Sequence, residues 1–369
     1  MFTSHPFLLE MVHSYQLLKG MYFLLLVIAA LILFIAIYLM KRKGRSAKRR
    51  QLRAAFSDFI SELAVSEDEA EREQCFQQPA LQALLASWLA DRFARQTLIR
   101  ELAATVRNMS GQAAANICWF YEKTGLHQDT LMQLKSGQWH LKARAIQQLA
   151  HLQQQRYITR IYRLTNDPHE LVRNEARIAV VKLTGFEGLR FLDVISYPIT
   201  EWQQISLLHE LAQHRRLVFP AIERLLQSSN NSVVEFVLRL VATYQLYDRQ
   251  PEVLQCLQSP VASVRKNALA ALKEIGDDKA AAILTDHFEK EEPTLQVLVL
   301  DVIRHIGSAD QVPFLIRGLA HPDYAINVAA ARALQALHPA AFNLIEQETD
   351  TSLAPWNQLL PQLKYETGG

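Results

Sequence analysis

The chain has 369 residues, half of them hydrophobic and about a fifth charged, with only 12 Gly and 13 Pro, a profile that favours a helical protein. Its net charge of +2 averages two unlike parts, because eight basic residues and no acidic one lie between Lys41 and Arg53. Without these eight, the 39 Lys and Arg fall to 31 against 37 Asp and Glu. Such a mildly acidic body argues against nucleic-acid binding, which needs a basic face.

Residues 21–40 form an apolar segment without a charged residue, an amide, a Gly or a Pro. As a helix it would be roughly 30 Å long, which matches the hydrocarbon core of a bilayer. Tyr22 and Tyr38 lie near its two ends, where aromatic rings favour the membrane interfaces. A cleaved signal peptide is the alternative, but the run is too long and no small-residue cleavage site follows it. We therefore predict a transmembrane helix over residues 21–40, preceded by a short extracytoplasmic N-terminus over residues 1–20.

The basic juxtamembrane stretch over residues 41–53 predicts the orientation of this helix. Lys and Arg next to a membrane span stay in the cytoplasm, and the residues before the span offer only Lys19. The N-terminus is thus expected outside and the rest inside, at the inner membrane of a bacterium. Lipid contacts are expected from the helix and from its basic flank. This membrane-flanking basic cluster consists of Lys41, Arg42, Lys43, Arg45, Lys48, Arg49 and Arg50.

Residues 54–135 are predicted to form a helical cap or degenerate repeats. Leu52 and Phe56 begin an apolar stripe at helical spacing, and further stripes cover residues 79–93 and 96–106. A terminal repeat must present one face that does not stack on a neighbour, and a cap of this kind would supply it.

A repeated pattern follows the cap, with a period inside the range that is typical of stacked helical repeats. Its clearest copy, VRKNALAALKEIGD, runs from Val264 to Asp277. A fixed period of this kind indicates stacked units, each of which buries its apolar face against the next. The spacing is regular except around the third copy. The first residue of the pattern stands at Leu141, Val172, about Thr200, Val233, Val264, Leu295 and Ile326.

Each copy predicts a pair of helices. Small and aliphatic residues at the fifth, eighth, ninth and twelfth positions form one stripe of the first helix, and a turn that often contains Gly ends it. A shorter second helix follows, as over residues 280–289 and 311–319. The stripe of the clearest copy consists of Ala268, Ala271, Leu272 and Ile275.

Two helices, a turn and this period resemble the short HEAT-like repeat of the phycobilin-lyase type, most clearly over residues 263–289 and 295–319. The resemblance implies an all-α fold with a right-handed α-solenoid, which would follow the single N-terminal transmembrane helix and the helical cap. We expect about seven two-helix repeats over residues 136–348 and a C-terminal tail over residues 349–369. The third and fourth repeats fit less well, because they lack both the Asp-Pro opening and the Gly. Since such repeats serve many functions, the resemblance leaves function open.

An enzyme built on such repeats would need convergent catalytic or metal-binding residues. Deoxyhypusine hydroxylase resembles this fold and binds two irons through repeated His-Glu pairs. Here only His169-Glu170 and His209-Glu210 occur, at non-equivalent positions. The stretch from His209 to His214 is one residue too long for a zinc motif, so both imidazoles of a regular helix would not face one metal. We therefore predict no catalytic residue, no metal site and no cofactor.

The three cysteines, Cys75, Cys118 and Cys256, are widely spaced and form no CxxC motif. An odd number of distant cysteines does not make a disulfide framework. Buried thiols in a reducing compartment are the expected interpretation.

One constellation of basic residues is a candidate binding ridge. Arg156, Arg160 and Arg163 are spaced by about one helical turn on the second helix of repeat one, and Arg173 and Arg177 open the next repeat. Such a ridge would recognise carboxylate or phosphate groups of a partner. The alternative is a solvated face whose charges are paired with nearby carboxylates such as those of Glu170 and Glu175.

These features together predict a non-catalytic scaffold or adaptor. A single-pass membrane helix would hold a cytoplasmic solenoid whose surface binds a protein partner of unknown identity, and no nucleic acid. Holding that surface at the membrane would raise the local concentration of the partner. The alternative is a membrane-tethered enzyme or cofactor-binding protein of the lyase-like kind.

Overall fold

The computed structural model describes residues 5–214, 219, 221–350 and 356–367. These residues are helical, with turns and 3-10 segments between the helices and no β-strand among them. The chain divides into two compact units, Met1–Gln154 and Gln155–Gly369. The first predicted repeat is therefore shared between the two units, because the boundary falls between its first and its second helix.

The first helix, α1, runs from His5 to Val65 without interruption. Its segment Met21–Met40 is long and apolar enough to cross a membrane, by length and composition. Nearly every side chain of that segment is exposed, with Val27 half-buried. The sequence pattern divided this region into an N-terminus, a membrane helix, a juxtamembrane stretch and a first cap helix, and the structure joins them in one helix.

The end of α1 beyond the apolar segment forms part of the hydrophobic core of the first unit. Phe56 packs edge-on against Trp88 with ring centroids 4.2 Å apart, and Phe59 lies 5.1 Å from Phe120. The next helix begins after Asp68, whose carboxylate accepts a hydrogen bond from the N–H of Glu71 in the first turn. The helices that follow α1 in this unit are α2 (Glu69–Gln77), α3 (Pro79–Ala90), α4 (Arg92–Arg107), α5 (Gly111–Lys123), α6 (His127–Leu134) and α7 (Trp139–His151).

The first helices of the repeats are spaced almost uniformly along the chain. They start at positions 139, 170, 201, 231, 262, 293 and 324, so the spacing is constant apart from one step that is a single residue shorter. The third copy of the pattern therefore begins at Gln203, and the placement at about Thr200 was wrong by three residues. Thr200 instead caps this helix through a hydrogen bond from the Gln203 N–H. After α7, these helices are α9 (Glu170–Thr184), α10 (Glu201–Leu211), α12 (Asn231–Thr243), α14 (Ala262–Ile275), α16 (Pro293–Ile306) and α18 (Tyr324–Leu337).

The second helices of the repeats are shorter and less regular, and several begin or end in a 3-10 turn. In repeat two the whole second element is a 3-10 segment, Gly185–Asp193. The predicted C-terminal tail also contains a helix, α20, whose Trp356 and Leu359 are buried. The remaining α-helices are α8 (Ile158–Tyr162), α11 (Ile222–Leu226), α13 (Gln250–Gln255), α15 (Asp278–His287), α17 (Val312–Gly318), α19 (Ala341–Glu348) and α20 (Trp356–Thr367).

The predicted apolar stripe is the core between consecutive repeats. Ala268, Ala271 and Leu272 are fully buried on α14, and Ala330 and Ala333 hold the same positions on α18. The sixth position of the pattern is buried as well in repeats four, five and six. These repeats place Leu238, Leu269 and Leu300 there, and in repeat two the same position holds Arg177.

Polar side chains at the second position of the pattern bond the carbonyl groups that end the preceding repeat. A helix C-terminus leaves such carbonyls without intrahelical partners, and a buried one must find another donor. We call this set the linker ladder. Its bonds run from Arg173 to Asp167 and Pro168, from Gln204 to Ile199, from Arg265 to Ser259, from Gln296 to Phe288, and from Asn327 to Leu319 and His321.

In repeat five, one member of the linker ladder, Arg265, bonds both a linker carbonyl and a buried carboxylate. The Arg265 Nη1 donates to the Ser259 carbonyl at 2.9 Å, while its Nε lies 2.9 Å from the carboxylate of Glu291. The Glu291 side chain is only 1% exposed, so it depends on Arg265 and on the nearby His287 imidazole for its partners. Repeat four departs from the ladder, because its second position is Val234.

Replacing Arg265→Ala should lower the free energy of unfolding by about 3–5 kcal/mol, since it leaves the buried Glu291 carboxylate without its main partner. The effect is measured by urea titration of the full chain in mild detergent, followed by far-UV circular dichroism. Lys266→Ala, at the exposed neighbouring position, is the control and should change the value by less than about 0.5 kcal/mol. Equal effects of the two substitutions would contradict the assigned role.

Candidate functional site

The exposed part of the basic ridge comprises three arginines, two of which lie over one tyrosine ring. Arg156 and Arg160 both lie over the face of Tyr157, at 4.9 and 5.6 Å from its centroid. The backbone there is a 3-10 turn followed by the short α8, and the buried Ile161 holds α8 against the core. Arg163 begins the next 3-10 turn, and all three arginine side chains are exposed. Two guanidinium groups on one ring make a compact basic surface suited to carboxylate or phosphate groups.

Arg173 and Arg177 do not belong to this exposed surface, which corrects that part of the predicted ridge. Arg173 is half-buried, belongs to the linker ladder and stacks on Tyr197 at 3.9 Å. Arg177 is only 1% exposed and donates to the carbonyls of Thr165 and Tyr197 and to the side-chain oxygen of Gln203. Burial, together with the charge of Arg173, lowers the pKa of Arg177 to about 10.

An apolar patch on the first helices of repeats two and three is the strongest candidate for a partner surface. Trp202 is 73% exposed, Ile205 on the same face of α10 is 48% exposed, and Leu171 is 49% exposed. Leu171 and Trp202 hold equivalent positions in consecutive repeats, and α9 and α10 pack side by side. Hydrogen bonds from Gln203 to Glu170 and from Lys182 to Glu210 fix their register. These three residues, the Trp202 patch, therefore lie together on one face.

Carboxylates border the Trp202 patch. The first residues of α9 and α10 are both glutamates, Glu170 and Glu201, and both side chains are exposed. The Glu201 carboxylate is paired with Arg239 of α12 at 2.6 Å, whereas Glu170 accepts a hydrogen bond from the neutral Gln203 side chain. The patch thus has an apolar centre and an edge that carries glutamates.

The sequence contained a signal for Trp202 that depended on the register of repeat three. The position before the pattern holds mostly small or polar residues in the other repeats of the second unit, namely Ser232, Ser263, Thr294 and Ala325. A tryptophan there stands out once the third copy is placed at Gln203. Placing that copy at about Thr200 assigned Trp202 to a different position, so it was missed.

The membrane-flanking basic cluster is partly engaged with the first unit. Lys48 forms an ion pair with Asp91 at 2.6 Å, and farther along the helix Arg53 binds Glu101 at 2.7 Å. The hydrogen bond from Lys48 holds the pKa of the Asp91 carboxyl below its usual range. The contribution of this pair is therefore present near neutral pH and is lost as acid protonates Asp91.

The other members of the cluster differ in exposure. Lys43 and Arg50 are exposed and Arg49 is half-buried. The side chains of Lys41, Arg42 and Arg45 lie outside the part of the chain that is described. Of the described members, Lys43 and Arg50 are therefore the ones presented most openly to the surroundings of α1.

The two histidines of the stretch from His209 to His214 are not arranged to bind one metal ion. His209 lies on α10, which ends at Leu211, whereas His214 lies beyond it beside Gly185. A β-carbon on Gly185 would meet the His214 ring at 3.1 Å, so Gly185 leaves room for the ring to pack there. Among the described residues, no group of three or more His, Cys, Asp and Glu side chains is arranged to hold a metal ion.

The cysteines are free thiols, of which Cys75 and Cys256 are buried and Cys118 is half-buried. Burial raises the pKa of Cys118 and of Cys256 to about 11. A nucleophilic cysteine needs a thiolate near neutral pH, which requires a lowered pKa. These environments therefore oppose nucleophilic catalysis by either residue.

Alkylation of the native protein by iodoacetamide at pH 8 should be at least about tenfold slower at Cys118 and Cys256 than in the urea-unfolded chain, because an unperturbed thiol has a pKa of about 8.5. The rates are measured for each cysteine by mass spectrometry of peptides, with the unfolded chain as the reference. Raising the pH towards the pKa values of about 11 should speed the reaction of the native thiols. Rapid labelling of either native cysteine at pH 8 would contradict the assigned burial.

Residues 219–296 match the family model of HEAT repeats. None of the curated proteins matches this chain in sequence. Among solved structures, importin beta is similar at 14% identity over 79% of this chain and 44% of its own, with a TM-score of 0.32. The complex of CpcE and CpcF of phycocyanin lyase from Nostoc sp. PCC7120 has 15% identity, covers 79% and 93%, and has a TM-score of 0.25. A designed armadillo repeat protein has 15% identity, covers 76% and 99%, and has a TM-score of 0.23.

These values are too low for any of the three structures to indicate what this chain binds. The family match, by contrast, covers α12, α14 and the helices between and after them, and it includes the clearest copy of the pattern, Val264 to Asp277. The HEAT-like repeats predicted from the sequence are thereby confirmed, and this chain carries HEAT repeats within residues 219–296.

Proposed function

We propose that this chain is a membrane-anchored adaptor that binds a protein partner through the Trp202 patch. The observation that carries the proposal is the exposure of Trp202, at 73%, beside two further half-exposed aliphatic side chains. A contiguous apolar patch on a folded surface marks an interaction site, and tryptophan is enriched among residues that dominate binding energy. The edge that carries Glu170 and Glu201 favours a partner segment with an apolar centre and basic flanks.

The anchoring part of the proposal rests on the segment Met21–Met40. Twenty apolar residues whose side chains are almost all exposed need a hydrocarbon environment, and a bilayer supplies it. Lys43 and Arg50 follow the segment and favour a cytoplasmic location for the two compact units, with the N-terminus outside. Confinement to an inner membrane of a bacterium would then raise the local concentration of the partner near its binding surface.

The basic ridge is proposed as a second surface for the partner, and it would bind negatively charged groups. Arg156 and Arg160 share the Tyr157 ring, and such a pair suits carboxylate or phosphate groups. The ridge lies on the second helix of its repeat, whereas the Trp202 patch lies on first helices. A partner could therefore engage one surface without covering the other.

The lyase-like alternative requires a nucleophile or a binding pocket for a cofactor. The thiols of Cys118 and Cys256 are poor candidates for the first role, because their pKa values are raised. We propose the adaptor because the exposed Trp202 patch supports it directly.

Capture of a partner should depend on Trp202. The tagged full-length protein is purified from membranes in mild detergent, and the proteins that co-purify are quantified by mass spectrometry. Trp202→Ala should weaken binding of a stoichiometric partner by about 30-fold or more, which corresponds to a hot-spot loss of about 2 kcal/mol. Tyr324→Ala is the matched control, since Tyr324 is also an exposed aromatic residue at the start of a first helix.

A second variant, with Arg156, Arg160 and Arg163 changed to Glu, tests the ridge in the same capture. Loss of the partner in this variant and retention in Trp202→Ala would assign binding to the ridge and contradict the role of the patch. Retention in both would overturn the proposed adaptor surfaces.

The orientation is tested with reporters fused to the C-terminus. A reporter that is active only in the cytoplasm should be active there, and one that requires the periplasm should be inactive, because the basic residues after the span are retained inside. The same two reporters fused before residue 21 give the opposite pattern as a control. Periplasmic activity at the C-terminus would reverse the proposed topology.

A further inference from the structure

The linker between repeats three and four borders a groove of about 380 Å³. Its floor is apolar and includes Leu226, Val234 and Val264, and its rim carries the carboxylates of Glu223 and Glu252. Among the residues that the structure describes, neither a lysine nor an arginine lines it. The groove lies apart from the Trp202 patch, since no residue of that patch contributes to its wall.

Val234 explains why the groove is open. In repeats two and five the second position is an arginine, which extends across the preceding linker and donates to the carbonyl of Asp167 or of Ser259. Each of these carbonyls lies five residues before the first position of its repeat. The equivalent residue in repeat four is Ser228, which lines the groove, and Val234 has no donor to offer it. The groove therefore occupies the place that an arginine side chain fills in the other two repeats.

The charge around the groove matches a cationic occupant. The Oε2 atom of Glu252 is buried and has no hydrogen-bond partner. Nearby Arg249 contacts the carboxylates of Glu223, Asp248 and Glu252, so in the described part of the chain three negative charges face this one positive charge. Arg265, on the far side of the linker at Ser259, is already paired with Glu291. A buried carboxylate oxygen that lacks a partner is costly, and a cation would satisfy it.

We propose that this groove binds one arginine side chain of a partner protein, presented by an extended segment. The guanidinium would pair with the carboxylate groups of Glu223 and Glu252 and donate to the Ser228 carbonyl, as Arg265 donates to a carboxylate and a carbonyl in repeat five. The aliphatic stem would pack on Leu226, Val234 and Val264. Arginine fits better than lysine because its planar fork serves two acceptors at once. The proposal goes beyond the adaptor function of the Trp202 patch, because it uses a different surface.

The proposal is tested with the full chain in mild detergent and two short peptides, acetyl-Gly-Arg-Gly-amide and acetyl-Gly-Gln-Gly-amide. Binding is followed by saturation-transfer NMR of the peptide, which detects weak complexes with large proteins. The arginine peptide should bind and the glutamine peptide should bind at least about tenfold more weakly, because only the first carries the cation. Equal binding of the two peptides would overturn the proposal.

Two variants locate the binding. Val234→Arg should fill the groove with the protein's own guanidinium and reduce binding of the arginine peptide at least about tenfold. Glu252→Gln, which keeps the shape of the side chain, should have a similar effect and keeps the test informative if Val234→Arg unfolds. Glu274→Gln, at an exposed position of α14, is the control and should bind as the unchanged protein does. Full binding by Glu252→Gln would contradict the assigned site.

The test separates this proposal from the adaptor surface. Trp202→Ala should leave binding of the arginine peptide unchanged, even where it abolishes capture of a partner. If the groove instead accepts a second copy of this chain, light scattering will show a dimer that Val234→Arg converts to a monomer, and that result would overturn the assignment to a partner protein.

Discussion

The stacking of the repeats depends on satisfying the carbonyl groups at the end of each second helix. Short helices and 3-10 turns leave several such carbonyls in a linker that the next repeat covers, and a buried carbonyl without a donor is costly. The linker ladder supplies the donors from a fixed position, with Arg, Gln or Asn according to the reach required. The ladder also ties each linker to the following first helix, which accounts for the nearly uniform spacing of these helices. Repeat four lacks a ladder donor, and the groove opens there.

The second organising feature is the continuity of α1. One helix contributes both the exposed apolar segment and the buried side chains of Phe56 and Leu63 in the first unit. A break between the two parts would make the apolar segment a flexible tether, whereas an unbroken helix transmits position and orientation to the core. The ion pairs of Lys48 with Asp91 and of Arg53 with Glu101 strengthen the same connection. Part of the basic stretch thus stabilises the first unit besides flanking the apolar segment.

The arginines of this protein have different structural roles, and their spacing in the sequence does not distinguish these roles. The arginines at 156, 160, 173 and 177 all looked like members of one ridge. Two are exposed around Tyr157, one holds a linker and one is buried among carbonyl oxygens. The repeat pattern indicates that position 177 is buried, because the equivalent sixth positions of other repeats hold the buried Leu238, Leu269 and Leu300. A polar side chain at a core position finds its hydrogen-bond partners inside the protein, and the Gln203 side chain supplies one of the acceptors for Arg177.

The helical class, the apolar segment and the period can be predicted from the amino-acid sequence, because they depend on local composition and on apolar residues that recur at fixed spacing. The stripe that packs between repeats can be predicted in the same way. The register of repeat three cannot, since Gln203 is a buried polar residue at a position that is apolar in the other repeats. The exposure of Trp202, the burial of Arg177 and the groove at Val234 also emerge only from the folded chain. Each of these depends on what a neighbouring repeat places against the residue, and that information lies a whole repeat away in the chain.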